Sequence, residues 1–217
     1  MIESTIKFNR NKTKILHLET SNVCNAACPM CLRETDPTFD KKKHNNLTVD
    51  HIKKSFSDDF IKNLDHMFMC GNYGDPASAP ECIEIFKYFR NLNSSMMLGI
   101  HSNGSLRNTS WWYELGKVLS NERDYCYFGI DGLRDTNHIY RVNTDFDKIM
   151  ENAAAFISSG GKAHWIMLVF EHNEHQVNDA IELSKKMGFV GFQKKVTRRF
   201  NLEKWPHLQP PKFLELK

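Results

Sequence analysis

No apolar run in the sequence approaches the roughly 20 residues needed to cross a bilayer, and the stretch from Met1 to Lys14 is polar and lysine-rich with no apolar signal core. No membrane association is indicated, and a cytoplasmic location is expected. Neither sign of charge predominates, with 29 Lys and Arg against 26 Asp and Glu. The net charge of +3 is too small to argue for nucleic acid by itself, and only Lys194-Lys195 and Arg198-Arg199 hint at such a partner. There is no second C-x-x-C and no H-x3-H, so the usual two-part zinc framework is incomplete. No cysteine follows Cys126, and no internal repeat is visible.

What is present is an ordinary globular composition, 41% hydrophobic and 25% charged. The 217 residues suit one α/β domain but fall short of the about 250 typical of an eight-unit barrel. Six cysteines would allow three disulfides, yet Cys70, Cys82 and Cys126 are scattered through expected core elements without framework spacing, which favours a reducing compartment. The other three are crowded into Cys24-Asn25-Ala26-Ala27-Cys28-Pro29-Met30-Cys31. Three thiolates on one loop can hold a metal centre, and clustered cysteines commonly hold iron and sulfur. With no fourth ligand nearby, such a centre either recruits a distant residue or leaves one iron open. A zinc knot and three ordinary buried thiols are the alternatives.

The pattern predicts alternating strands and helices. Strands are expected at 15–19, 66–70, 96–100, 125–128, 164–170 and 189–196, from short apolar runs bounded by turn residues. Between them, Val49, Ile52, Phe56, Phe60 and Leu64 recur at helical spacing and predict one helix over 48–64, preceded by a polar loop over 34–46. Further helices follow Ser78 and Pro80, Asn108 to Ser110, and Phe146, and a last one runs from Val177 to Met187 with Gly188 as its C-cap. Such alternation predicts a parallel sheet of βαβ units, here an α/β partial (β/α)6 TIM-type open barrel. The expected organisation is an N-terminal extension over 1–13, a core domain over 14–199 and an irregular tail over 200–217, which either wraps the barrel or begins something further.

In such folds ligands bind at the carboxyl ends of the strands. Every unusual turn falls there: the cysteine loop, Gly71-Asn72-Tyr73-Gly74-Asp75-Pro76, Ser102-Asn103-Gly104, Gly129-Ile130-Asp131-Gly132 and Glu171-His172-Asn173.

C-x3-C-x2-C at the end of a first strand resembles the signature of the radical S-adenosylmethionine (radical SAM) enzymes. The resemblance spans roughly residues 14–197 and is strongest to the peptide- and protein-modifying, SPASM-type members, without their C-terminal cysteine region. It implies that Cys24, Cys28 and Cys31 bind a 4Fe-4S cluster whose open iron takes S-adenosylmethionine. One electron, from a flavodoxin- or ferredoxin-like donor or from dithionite in vitro, would yield methionine and a 5′-deoxyadenosyl radical that abstracts hydrogen from a substrate. Gly71 to Pro76 resembles the family's Gly-Gly-Glu-Pro, with Tyr73 for the first glycine and Asp75 for glutamate. Ser102-Asn103-Gly104 resembles its Thr-Asn-Gly, and Gly129 to Gly132 its Ser-x-Asp-Gly with glycine for serine. The resemblance thus implies cofactor contacts from Met30, Tyr73, Gly74, Asp75, Ser102, Asn103, Asp131 and Arg141. Tyr73, His172, Lys195 and Arg198 remain as rim candidates for substrate contact. A peptide or protein is the first expected substrate, and a nucleotide or small metabolite the second. A non-catalytic barrel that binds a metal or S-adenosylmethionine is the alternative function.

Overall fold

A computed structural model of the protein describes residues 12–214; most of the expected extension over 1–13 lies outside that range. Six parallel strands form one sheet in chain order: β1 (Ile15–Leu18), β2 (His66–Met69), β3 (Met97–Ser102), β4 (Tyr125–Gly129), β5 (Ala163–Leu168) and β6 (Gly191–Lys195). Each pairs only with its sequence neighbours within the sheet, from Leu18↔Met69 at one edge to Leu168↔Lys195 at the other. This is the expected open α/β barrel.

Period-two alternation divides each strand between two surfaces. Met67, Met69, Leu98, Ile100, Cys126, Phe128, Ala163, Trp165 and Met167 point outward beneath the helices and are fully buried. The inward set, His66, Phe68, His101, Tyr125, Tyr127, His164 and Ile166, is half-buried. Their rings form a ladder across the strands, with His17 stacked on Phe68 at 4.6 Å and His101 against Tyr127 at 4.7 Å.

The helices depart from expectation in places that have local causes. After the cysteine loop comes a short α1 (Leu32–Thr35), which runs into the first two residues of the expected polar loop over 34–46. The single helix expected over 48–64 is two, α2 (Val49–Ser55) and α3 (Asp58–Lys62). Phe56 is extended, and the Ser57 side chain accepts a hydrogen bond from the Phe60 amide, so a new N-cap interrupts the apolar stripe. A 3-10 turn over Pro76–Ser78 precedes α4 (Cys82–Leu92), whose N-cap is Glu81, three residues after the expected start at Ser78.

Then come α5 (Thr109–Val118), capped by Asn108; a one-turn α6 (Asn137–Tyr140); α7 (Phe146–Ser158), capped by Asp145; and α8 (Val177–Met187). Gly188 ends α8 at φ 87°, the left-handed conformation for which glycine has no Cβ penalty. Trp112 is fully buried and meets Trp111 edge-on at 5.0 Å, which makes this pair packing residues.

The tail after residue 199 wraps the rim. Leu208 is fully buried in a second small core with Ala26, Cys28, Met30, Tyr140 and Phe170, against which Phe200 and Trp205 pack. The Glu171 amide donates to the Gln209 carbonyl at 3.1 Å, fixing the tail to the turn after β5. No described helix is long and apolar enough to cross a membrane.

Candidate functional site

The cysteine loop is anchored before it is functional. Its backbone is tied to neighbouring turns by Ala27 N to Val142 O at 3.0 Å and by Asp75 N to Val23 O at 2.8 Å. Arg33, buried at the start of α1, donates through Nη1 to the carbonyls of Asn22 at 2.5 Å and Tyr73 at 3.0 Å. Arg199 reaches the Met30 carbonyl from the tail side at 3.2 Å. Two glycines allow the close approach that this requires. A Cβ on Gly74 would stand 2.1 Å from the Ser21 carbonyl oxygen, and one on Gly71 would stand 2.0 Å from the Gly74 oxygen.

The three thiols line one rim cavity of about 520 Å³ together with Tyr73, Gly74, Asp75, Ser102, Asn103 and Arg141. All six cysteines are free. Sulfur contacts come from several elements: Ala26 N and Asn103 Nδ2 lie 3.4 and 3.7 Å from Cys24 Sγ, and Arg141 Nη1 lies 3.9 Å from Cys28 Sγ. Burial, with the Asp75 carboxylate nearby, pushes the Cys24 thiol up to about 12. Burial also raises Cys28, with Arg141 opposing it. Both sulfurs therefore favour ionisation only when a cationic centre is bound, as thiolate ligands require.

Among the described residues no three His, Cys, Asp or Glu side chains form a single-ion site. The donor set fits a larger centre instead: three sulfurs from one loop around a cavity, with N–H donors aimed at two of them.

Asp75 and Asp131 brace this cavity. Both are buried. Asp75 accepts from Ser102 Oγ at 2.9 Å, from the Asn103 amide at 2.8 Å and from the Ala77 amide at 2.9 Å. Its carboxylate thus locks the turn after β2 to the turn after β3. Burial raises its pKa, and these donors pull it back. Asp131 does not line the cavity. It accepts from the Leu168 amide at 2.6 Å and from Arg141 Nε at 2.6 Å, and so aims the guanidinium towards Cys28.

That guanidinium also explains Gly129. A Cβ there would lie 2.6 Å from Arg141 Nη2, so the residue standing where serine was expected leaves room for arginine.

The other expected residues are dispersed. Met30 is buried in the small core beneath the tail and does not line the cavity. Tyr73 lines the cavity, but its hydroxyl donates away from it to Asp36 Oδ2 at 2.6 Å. His172 lies against the tail, stacked on Phe170 at 5.2 Å, and Arg198 is exposed outside the cavity. Lys195 does line it. Sequence reasoning did not single out Arg33, Cys70, His101, Tyr127, Ile166, Leu168 or Arg199 as lining residues. For those on β3, β4 and β5 the inward phase of the alternation was the available signal; Arg199 stood out only as part of the basic Arg198-Arg199 pair, and for Arg33 there was no signal.

A parallel open barrel with its conspicuous turns on one rim, enclosing a thiol-lined cavity, is an α/β fold with a site of cofactor size. The family model for the Radical SAM superfamily matches residues 18–184, and the chain belongs to that superfamily, whose members use a 4Fe-4S cluster and S-adenosylmethionine. No curated protein matches. Among solved structures, Streptococcus suis SuiB bound to S-adenosylmethionine superposes with a TM-score of 0.68 at 12% identity, covering 91% of this chain and 43% of SuiB. The anSMEcpe protein with bound AdoMet gives a TM-score of 0.64 at 18% identity, covering 85% of this chain and 49% of the other. These likenesses establish the fold. The chain spans under half the length of either relative.

Proposed function

We propose that this protein is a radical S-adenosylmethionine enzyme that modifies a peptide or protein, with Cys24, Cys28 and Cys31 holding a 4Fe-4S cluster. The observation that carries this reading is the convergence of three thiols of one loop with the exits of β2, β3 and β4 on one rim cavity. When bound, the cluster and S-adenosylmethionine supply reductive cleavage to methionine and a 5′-deoxyadenosyl radical, driven by an external one-electron donor.

The chain's own residues position and shield. Asn103 and Ala26 direct N–H groups at Cys24, and Arg141 places positive charge beside Cys28, which favours the thiolate forms. Asp75 is occupied by Ser102, Asn103 and Ala77, so the amino group of S-adenosylmethionine would be met by the backbone of the Gly71–Asp75 turn. The tail covers Met30 and Cys28 and keeps solvent from that side of the loop. A peptide substrate is supported by two likenesses: SuiB bound to precursor peptide SuiA, at a TM-score of 0.67, and anSMEcpe with bound Cp18Cys peptide, at 0.63.

The test is anaerobic iron-sulfur reconstitution followed by dithionite and S-adenosylmethionine. Release of 5′-deoxyadenosine is expected, and its loss together with the cluster in Cys28→Ala. An iron-sulfur protein that binds S-adenosylmethionine and never releases 5′-deoxyadenosine would instead be a non-catalytic barrel.

A further inference from the structure

Beyond the thiols and glycine turns, the same cavity has a second wall, formed by Cys70, His101, Tyr127, Ile166, Leu168 and Lys195. All but Cys70 belong to β3–β6, and Lys195 sits in register with Leu168 at the end of the edge strand. Paired residues of a parallel ladder share a face, so the Lys195 side chain leaves β6 on the inward side. Lys194 leaves on the other, where its ammonium lies 5.7 Å from the Phe213 ring. Lysines on an edge strand, inward-pointing ones included, deter edge-to-edge pairing; Lys195 in addition borders the cavity.

Four cationic side chains line the cavity: Arg33, Arg141, Arg199 and Lys195. Three are engaged, Arg33 by the Asn22 and Tyr73 carbonyls, Arg141 by Asp131 and Arg199 by the Met30 carbonyl. The Lys195 carbonyl accepts from the Val169 amide at 2.8 Å, while its ammonium has no hydrogen-bond or ion-pair partner among the described residues. The one carboxylate in the lining, Asp75, is consumed by internal donors. The cavity thus carries an unspent positive charge near the tilted ring pair His101–Tyr127, whose centroids are 4.7 Å apart. Burial and the neighbouring ammonium depress His101 to about 4, so its imidazole is neutral near pH 7 and offers a flat, uncharged surface.

We infer that Lys195 anchors a carboxylate of the substrate peptide, an aspartate or glutamate side chain, while the adjoining peptide segment lies over His101 and Tyr127. This rests on the peptide-modification reading above and names the substrate feature that reading leaves open. A neutral amide isostere can accept from the ammonium but brings no opposite charge, so the site discriminates glutamate from glutamine.

The test uses the reconstituted protein with cluster and S-adenosylmethionine bound. It is offered matched random heptapeptide pools carrying Glu, Gln or Lys at the centre, and the retained peptides are measured by mass spectrometry at low and high salt. The Glu pool should be retained about tenfold over the Gln pool at low salt, and the margin should shrink as salt screens it. Lys195→Ala should equalise the two pools, and Lys195→Glu should turn the preference to the Lys pool. Equal retention of Glu and Gln pools by the wild type, or a Glu preference that survives Lys195→Ala, overturns the inference. Binding of glutarate with no retention of any pool overturns the peptide occupant. Release of 5′-deoxyadenosine by the wild type is scored separately. Release without a Glu preference removes this inference alone, and a Glu preference without release removes the radical-enzyme reading alone.

Discussion

The Asp131–Arg141 pair gives the sharpest test of how the site is held. Asp131 is fully buried, the Arg141 side chain retains 20% exposure, and their Nε–Oδ2 distance is 2.6 Å. Asp131→Asn removes the charge that holds the guanidinium, while the asparagine can still accept from the Leu168 amide. Breaking a buried pair by removing one member costs about 3–5 kcal/mol, and the partial exposure of Arg141 places this variant near the lower end. Arg141→Met strands a buried carboxylate that keeps only the Leu168 N–H, a cost of similar size. The double variant removes both charges, so the two losses should not add. A coupling energy of about 2–3 kcal/mol is expected. Urea denaturation of the reduced, cluster-free protein at neutral pH reads it, with slopes compared to check that only stability has changed. Single-variant losses that sum to the double-variant loss within about 0.5 kcal/mol would refute the reasoning, because the pair would then be incidental to the buried structure.

Gly74→Ala places a methyl against the fixed Ser21 carbonyl and should both destabilise the protein by about 1–3 kcal/mol and lower the iron retained after reconstitution, checked by thermal melting and metal analysis. Leu208→Ala empties a fully buried position of the tail core; a loss of about 2 kcal/mol is expected, with faster amide hydrogen exchange confined to the cysteine loop and the tail. Gly129→Ser pushes against the guanidinium of Arg141 and should lower the melting temperature in the wild-type background but not in Arg141→Met, where the obstruction is gone. His172 has both ring nitrogens buried without a partner among the described residues, and burial, aided by His207, His175 and His138, depresses it to about 4 from 6.5. The unfolded chain takes up a proton at this ring before the folded protein does, so stability should fall as pH drops from 6.5 towards 4. His172→Phe should flatten that slope in denaturation curves recorded across the range; an unchanged slope would place the proton uptake elsewhere.

The sequence alone determined the strand–helix alternation, the placement of its unusual turns at strand exits, and the three-cysteine loop. These are encoded locally, in apolar period, turn chemistry and spacing, so they could be read without knowing what packs on what. The caps at Asn108 and Gly188 were legible for the same reason. The split between α2 and α3 was not, because an unbroken apolar stripe outweighed a serine whose capping role appears only once Phe56 is extended.

Tertiary structure alone decided what the carboxylates and cations do. Asp75 and Asp131 read as cofactor contacts from their position in motifs, yet their oxygens are taken by Ser102, Asn103, Ala77, Leu168 and Arg141, partners up to 37 residues away along the chain. Gly129 became intelligible through Arg141, and the tail through the burial of Leu208 on the cysteine loop. Lys195 was one of four rim candidates for substrate contact, and the tertiary structure sets it, unlike His172 and Arg198, on the cavity's edge. Hydrogen-bond partners and facing are properties of distance and direction in space, and sequence order carries neither for residues brought together by long-range packing.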